Sequence, residues 1–364
     1  MAHRHNPYLR FGLTESKESR LAATITNAPP LPAVDFAAVG QSAPTLLTTQ
    51  AGALPKASAV VITWAEAEWA AMQHVFCAGA TTMAYSDRAR SNWSGWHTYA
   101  KNLPADAPSG WSEWGSYRLV EIAGKSVLLF KSNTHLDFPG ASFLEALIKL
   151  LIADVQPTLI LSIGTAGGAI PADHIGTVRA VSAGTLYEAG EPAASWPDYS
   201  NAWSANDAVL SNPNLPALLF PVPTTSSDLQ LLASSLNRGS NTDYNLDQLD
   251  PDGLNLGEAV PLIIDQTGGG TSLLTASTFV VGTTAGDYQA YSAIEMDDAV
   301  IGEVCAANGT AFGFIRNVSD PVQNAALPAA VQGNWGSLVY DAYGLYTSYN
   351  GAIAAWAVLA AGIG

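Results

Sequence analysis

Charge is scarce in this chain, and positive charge is scarcer still. Only 13% of the 364 residues are charged, and 15 Lys and Arg stand against 31 Asp and Glu, a net charge of −16. Nucleic-acid binding through phosphate neutralisation is therefore excluded as an expectation. So sparse a surface charge also leaves area for other subunits to cover, and a homo-oligomer is expected. Two cysteines, Cys77 and Cys305, are too few for a disulfide framework or a cysteine-rich zinc site. The six histidines form no H-x-x-x-H pair, so neither a metal nor another cofactor is expected. The apolar runs, Leu159 to Ile163 and the Ala-rich C-terminus, are too short or too interrupted to span a bilayer. The N-terminal MAHRHNPYLRFGLTESKESR lacks the apolar segment of a secretory signal, and a soluble cytoplasmic protein with no membrane partner is the expectation. Common motifs are missing too. Gly124-Lys125-Ser126 has no glycine five residues before it, as a phosphate loop needs, and GTAGG (164–168) is not G-x-G-x-x-G. No G-x-S-x-G accompanies His135 and Asp137.

What is present is apolar residue, 48% of the chain, enough for a large core in one α/β domain or two. Residues 1–56 hold six prolines, Pro30, Pro32, Pro44 and Pro55 among them, and no strong periodicity, the pattern of an arm. From residue 57 to 364 strands and helices alternate, which predicts a mixed α/β sheet flanked by helices, interrupted by insertions at about 80–115 and 190–270. SAVVITW reads as a buried strand that feeds directly into a helix, AEAEWAAMQHVF. That places Glu66 and Glu68 at the strand's C-terminal mouth, where acids either do chemistry or complement the helix dipole. Four tryptophans between 93 and 114, with His97 beside them, could stack on a ligand or simply pack an irregular excursion. YRLVEIAGKSVLLFKSN alternates like a β-hairpin turning at Ala123-Gly124-Lys125, and FLEALIKLLIADV, followed by Pro157, is an amphipathic helix. TLILSIG is a continuous apolar strand that runs into GTAGG, expected as a small-residue turn whose amides cradle an anion or serve as a plain tight turn. The stretch from Ser292 to Asn324 gathers Glu295, Asp297 and Asp298 at a helix start and ends the strand AFGFIRNV in Ser319-Asp320. Carboxylates at such positions suit a site at strand ends. The C-terminus predicts a closing helix broken near Asn350-Gly351.

Five of these segments stand in one order: VVITWAEAEWAAM, LILSIGTAGGAIPADHIGTV, LLTASTFVV, AIEMDDAVIGEVC and FGFIRNVSD. Together they resemble the nucleoside phosphorylase and nucleosidase superfamily, closest to the methylthioadenosine/S-adenosylhomocysteine nucleosidases, and cover about a quarter of the chain closely. The resemblance implies a nucleoside-phosphorylase-like fold and cleavage of a purine nucleoside at its N-glycosidic bond. It implies that Asp320, beside Ser319, protonates the leaving purine, and that Glu68 activates water. Phe279 would stack on the base and Val280 would contact it through its backbone. Met296 and Asp297, within Glu295-Met296-Asp297, would hold the ribose, Asp297 being shorter than the family's usual glutamate. Thr165, Ala166 and Gly167 would line the nucleophile side. Hydrolysis is the first expectation, because an acid stands in TWAEAEW where phosphorylases carry an arginine-bearing turn. The alternatives are phosphorolysis, with phosphate as co-substrate and Arg118, Arg179 or an arginine from a neighbouring subunit binding it, and a non-catalytic nucleoside-binding or sensing protein.

Overall fold

A computed structural model describes residues 28–170, 173–205, 210–251, 256, 261–269, 271–277, 286–320, 324 and 326–362. The strands, in chain order, are β1 Thr45–Leu47, β2 Ala59–Thr63, β3 His97–Tyr99, β4 Gly115–Ile122, β5 Lys125–Ser132, β6 Leu159–Gly168 and β7 Val178–Val181. They continue with β8 Ala183–Leu186, β9 Asp198–Ser200, β10 Ile263–Gln266, β11 Leu273–Thr275, β12 Ala293–Glu295 and β13 Ala311–Asp320. The principal helices are α1 Glu66–Cys77, α2 Ala141–Val155, α3 Ser226–Ser240, α4 Asp298–Asn308 and α5 Ala329–Ala360. No helix among the described residues is long and apolar enough to cross a membrane.

The strands join one mixed sheet with helices on both faces, the α/β architecture that the alternating pattern predicts. Strand β2 lies parallel to β5 on one side and to β6 on the other, and β6 is parallel to β13 along almost its whole length. Side chains alternate between two cores, as the period of a strand requires. Ala59 and Val61 of β2 pack with Trp69, Met72, Val75 and Phe76 of α1 and with α5. Val60 and Ile62 face the other core, which Leu144, Leu147, Ile148 and Leu151 of α2 share with Val300, Ile301 and Val304 of α4. Because both faces are covered, the strands read as unbroken apolar runs.

The hairpin between β4 and β5 turns at Ala123 and Gly124, with φ of 49° and 75°, consistent with its predicted place. Residues 31–36 lie along the body: Leu31 pairs with Met83, and Val34 and Phe36 enter the α1 core. The tryptophans of the excursion are packing residues. Trp93 and Trp96 each meet Trp69 edge-on with centroids 5.2 Å apart, and Trp111 meets Trp114 the same way at 4.8 Å.

Two local expectations are corrected. GTAGG is the extended end of β6 and not a turn, since Thr165, Ala166 and Gly167 pair in register with Asn317, Val318 and Asp320 of β13. Backbone pairing with β13 and then with β12 claims the groups that a turn would leave for an anion. Likewise α5 runs unbroken through Asn350 and Gly351. Asn350 is turned to tertiary use, its Oδ1 accepting from Phe220 N–H at 2.7 Å and its Nδ2 donating to Phe220 O at 2.9 Å. Gly351 is small because β13 passes close: a Cβ there would lie 2.6 Å from the Asn317 side chain. Helix breakers by propensity are tolerated where packing requires them.

Candidate active site

The parallel strands β5, β2, β6 and β13 end on one side of the sheet, and the acids singled out above converge there. Glu68 sits in the first turn of α1 and is buried. Its Oε2 accepts from Thr63 Oγ1 at 2.7 Å, Trp64 N–H at 2.9 Å and Ala65 N–H at 2.8 Å. The last of these closes the helix N-terminus, so the capping reading of this acid is realised. Its Oε1 faces the other way, accepting from the N–H and the hydroxyl of Thr165 at 2.7 and 2.6 Å. Burial pushes the carboxyl up, but the charge of Arg316 and the bonds from Thr165 and Trp64 outweigh it and hold Glu68 below its ordinary value of 4.5. Glu68 is thus an ionised carboxylate lashed between two strand ends.

Arg316, from the middle of β13, anchors this cluster. Its Nε donates to Asp298 Oδ2 at 2.7 Å and its Nη2 to Asp298 Oδ1 at 2.5 Å, a bidentate pair. The same Nη2 donates to Ser162 Oγ at 2.8 Å and lies 3.1 Å from Glu295 Oε2. The guanidinium also stacks over the Trp64 ring, 5.2 Å from its centroid. Glu295 folds back over the start of α4, where Oε2 accepts from Asp297 N–H at 2.6 Å and from Asp298 N–H at 3.0 Å, and Oε1 accepts from the Thr275 hydroxyl. Burial first, and then the Asp298 charge, push Glu295 up to about 8 against the pull of Arg316. Glu295 therefore caps a helix, and Asp298 pairs with the arginine.

Asp320 ends β13 one bulge beyond Val318, opposite Gly167. It is buried, and its Oδ1 accepts from Ser319 Oγ at 3.3 Å. Burial, only partly relieved by that hydroxyl, pushes it up to about 7. The bulge re-aims the chain at the strand's end, a common device beside functional sites. Along β6, Thr165, which holds Glu68, and Gly167, which faces Asp320, are two residues apart, roughly 7 Å of rise.

Asp297 is not open to the mouth. It is 2% exposed, its Oδ1 accepts from Leu136 N–H at 3.0 Å, and its Oδ2 lies 2.9 Å from His135 Nδ1. Met296, one residue earlier, is half-buried. Phe279 and Val280 lie outside the described residues. Arg179 is committed to Asp173, with contacts of 3.2 and 2.6 Å, and to Gln266. Arg118 donates to Ser94 O at 2.9 Å and Gln73 Oε1 at 3.3 Å.

Sequence reasoning missed Arg316 and the pairing of His135 with Asp297. An arginine inside the apolar run AFGFIRNV was a usable signal, because a buried guanidinium must be paired with carboxylates. His135 had none, since its partner is 162 positions away.

No family model matches the chain, and no curated protein matches it. Among solved structures it is similar to the 5'-methylthioadenosine/S-adenosylhomocysteine nucleosidase of Neisseria meningitidis in complex with methylthio-immucillin-A, at 15% identity and a TM-score of 0.43, over 84% of this chain and 99% of that one. It is similar also to the S-adenosylhomocysteine nucleosidase of Streptococcus pyogenes (13% identity, TM-score 0.45, 85% and 99% covered) and to the futalosine hydrolase of Helicobacter pylori (12%, 0.44, 83% and 97%). At these scores the likeness carries no weight for activity.

Proposed function

We propose that this chain hydrolyses the N-glycosidic bond of a purine nucleoside, with Asp320 as the acid for the leaving base and Glu68 as the base for water. One arrangement carries the reading: Glu68, held by Thr165, and Asp320, opposite Gly167, are buried carboxyls gathered at neighbouring positions of β6, and burial raises Asp320 to about 7 while Arg316 and Thr165 hold Glu68 below 4.5. Environments that split a carboxyl pair in this way assign acid and base roles.

The chemistry explains why both are needed. Rupture of the bond leaves an oxocarbenium-like sugar and a purine that departs as an anion unless it is protonated. A carboxyl that still carries its proton near neutral pH supplies that proton to the ring nitrogen as the bond lengthens. On the sugar side, an ionised carboxylate takes a proton from water as its oxygen bonds the anomeric carbon, and its charge favours the developing cation. Thr165 supports Glu68 with two hydrogen bonds, and the charge of Arg316 keeps it ionised.

Hydrolysis is preferred to phosphorolysis because this chain's two arginines considered for phosphate are engaged elsewhere, Arg179 by Asp173 and Arg118 by Ser94 and Gln73. A carboxylate at the nucleophile position also repels a phosphate dianion. The test is release of free base from adenosine, inosine and 5'-substituted adenosines, each with and without phosphate. Base release without phosphate is expected; strict dependence on phosphate would establish phosphorolysis instead. Tight binding with no release would leave a binding protein.

A further inference from the structure

In a chain short of positive charge, basic side chains gather along one flank of α1. The Arg90 guanidinium lies over the Trp69 ring, 5.1 Å from its centroid, and Lys131 Nζ lies 5.7 Å from the same centroid. Arg118, from β4, reaches the next turn of α1, where its Nη1 donates to Gln73 Oε1 at 3.3 Å. That oxygen also accepts from Trp96 Nε1 at 2.8 Å. Consecutive carbonyls of one loop hold the two arginines: Trp93 O accepts from Arg90 Nη1 at 2.6 Å, and Ser94 O from Arg118 Nη1 at 2.9 Å.

All of these acceptors are neutral. Among the described residues no carboxylate pairs with Arg90 or Arg118, and nothing accepts from the Nε–Nη2 edge of either. Glu113, the carboxylate whose field reaches Arg90, is bonded by Asn133 Nδ2 at 2.5 Å. Burial, and then the charge of Arg118, pull Arg90 below its ordinary value, as happens when like charges are held together without a counter-ion. The Nε–Nη2 edge is the one with which a guanidinium grips an oxyanion in two parallel bonds, and Arg316 uses it on Asp298 in this same chain. On Arg118 that edge is kept clear of side chain by a glycine: a Cβ at Gly95, whose φ is 82°, would lie 2.9 Å from Nη2 and 3.4 Å from Nε. Both arginines are half-buried, and Ser91, Asn92, Ser94 and Gly95 beside them are exposed, so a small ligand reaches this flank from solvent.

We infer that Arg90 and Arg118 form an oxyanion-binding site on the flank of α1, which takes a free phosphate or the carboxylate of a small molecule. The inference goes beyond the nucleoside reading and does not need it. Sheet order separates the two places. Glu68 is bonded to β6, whereas Arg118 stands on β4, three strand spacings away, roughly 14 Å. An oxyanion bound here is therefore not the nucleophile of the proposed reaction. It neutralises two half-buried cations and ties the loop at 90–95 to α1, the helix that carries Glu68.

The test is calorimetric titration of the full chain with inorganic phosphate and, separately, with acetate, at an ionic strength held constant with chloride. Saturable binding is expected, together with a rise in melting temperature that chloride alone does not give. R90Q and R118Q should each weaken binding roughly ten- to a hundredfold, the loss of a hydrogen bond involving a charged group. R238Q, on the exposed face of α3, should leave it unchanged and so controls for net charge. R90K and R118K keep the charge but lose the fork; they are expected to lose most of the affinity, and they decide the matter where a glutamine variant does not fold. Tighter binding of phosphate assigns the site to a phosphoryl group, and tighter binding of acetate to a carboxylate. No saturable binding of either ion overturns the inference, as does binding that survives at full strength in the variants of both arginines. Base release that strictly requires phosphate and is lost in R118Q also overturns it, by returning Arg118 to the reaction. A chain that binds the ion at these arginines yet releases no base loses the hydrolase reading alone.

Discussion

Thr165 donates twice to one oxygen of Glu68, through its backbone N–H at 2.7 Å and its hydroxyl at 2.6 Å. This joins the end of β6 to the first turn of α1 and directs a carboxylate that would otherwise serve only as a helix cap. Thr165→Val removes the hydroxyl while keeping the branched shape, and Thr165→Ser retains it. With one fewer donor to its charged form, Glu68 should titrate at higher pH. The acid limb of the kcat profile is expected to move up for Thr165→Val and to stay in place for Thr165→Ser. A profile unmoved by Thr165→Val would show that this hydroxyl does not tune the base.

Asp320 is the acid in the proposed reaction, so activity requires its protonated form. The rate should fall as pH rises through about 7, and Asp320→Asn should lower kcat by roughly a hundred- to ten-thousandfold while base and nucleoside still bind. The remaining activity of Asp320→Asn should lose that descending limb. A variant with full kcat would remove Asp320 from the mechanism.

The strand ends were legible because local pattern suffices for them. A buried run feeding a helix puts Glu68 at a mouth, and AFGFIRNVSD puts Asp320 at another, whatever the rest of the chain does. The distal halves of the same site were not legible, because they depend on register and packing between distant segments. GTAGG looks like a turn by composition, yet β13 is available to pair with it and draws it into β6. Asn350-Gly351 looks like a break, yet Phe220 and Asn317 need a small residue and an amide at those places. His135 meets Asp297 only because Trp64 fixes the intervening loop.

Arg316 pairs with Asp298 in a buried network, and removing one member leaves uncompensated charge. Arg316→Met should destabilise the fold by about 3–5 kcal/mol, measured by urea denaturation. It should also abolish activity, because Glu68 loses the charge that keeps it ionised. Destabilisation below about 1 kcal/mol would mean that the carboxylates repack or are solvated.

Gly164 lies where the Arg316 guanidinium and the Glu68 carboxylate pass over β6. A Cβ at this position would lie 2.6 Å from Arg316 Nη1 and 2.8 Å from Glu68 Oε1. Both atoms end long side chains, yet each side chain is already held by several hydrogen bonds, so neither yields cheaply. Gly164→Ala should cost about 1–3 kcal/mol as an overpacked site does, and should lower kcat more than it raises KM. Wild-type kcat in this variant would show that the exact seat of Glu68 is immaterial.

The raised carboxyls give the stability an unusual dependence on pH. Asp320 goes from an ordinary 3.8 to about 7 on folding, and Glu295 from 4.5 to about 8, so between those values the folded chain holds more protons than the unfolded one. Stability contributed by such groups is complete below the unfolded value and is lost as pH rises through the folded one. His135, raised above 6.5, adds to the same decline over the upper part of the window. Lys131, which burial lowers from 10.5 to about 8, acts oppositely: from pH 8 to 10.5 the unfolded chain binds the extra proton, and its share of the stability rises. Above pH 9 Cys77 and Cys305, which burial raises from 9.0 to about 12, offset Lys131, so the melting temperature is expected to fall from about pH 5 to about pH 8 with no recovery beyond it. Asp320→Asn should flatten the first part of the fall, up to about pH 7, and Glu295→Gln should flatten the part that continues to about pH 8. Calorimetric melting across pH 4.5–10 checks both, and a melting temperature that rises steadily from pH 5 to 8 would show that these two carboxyls are ionised in the folded protein.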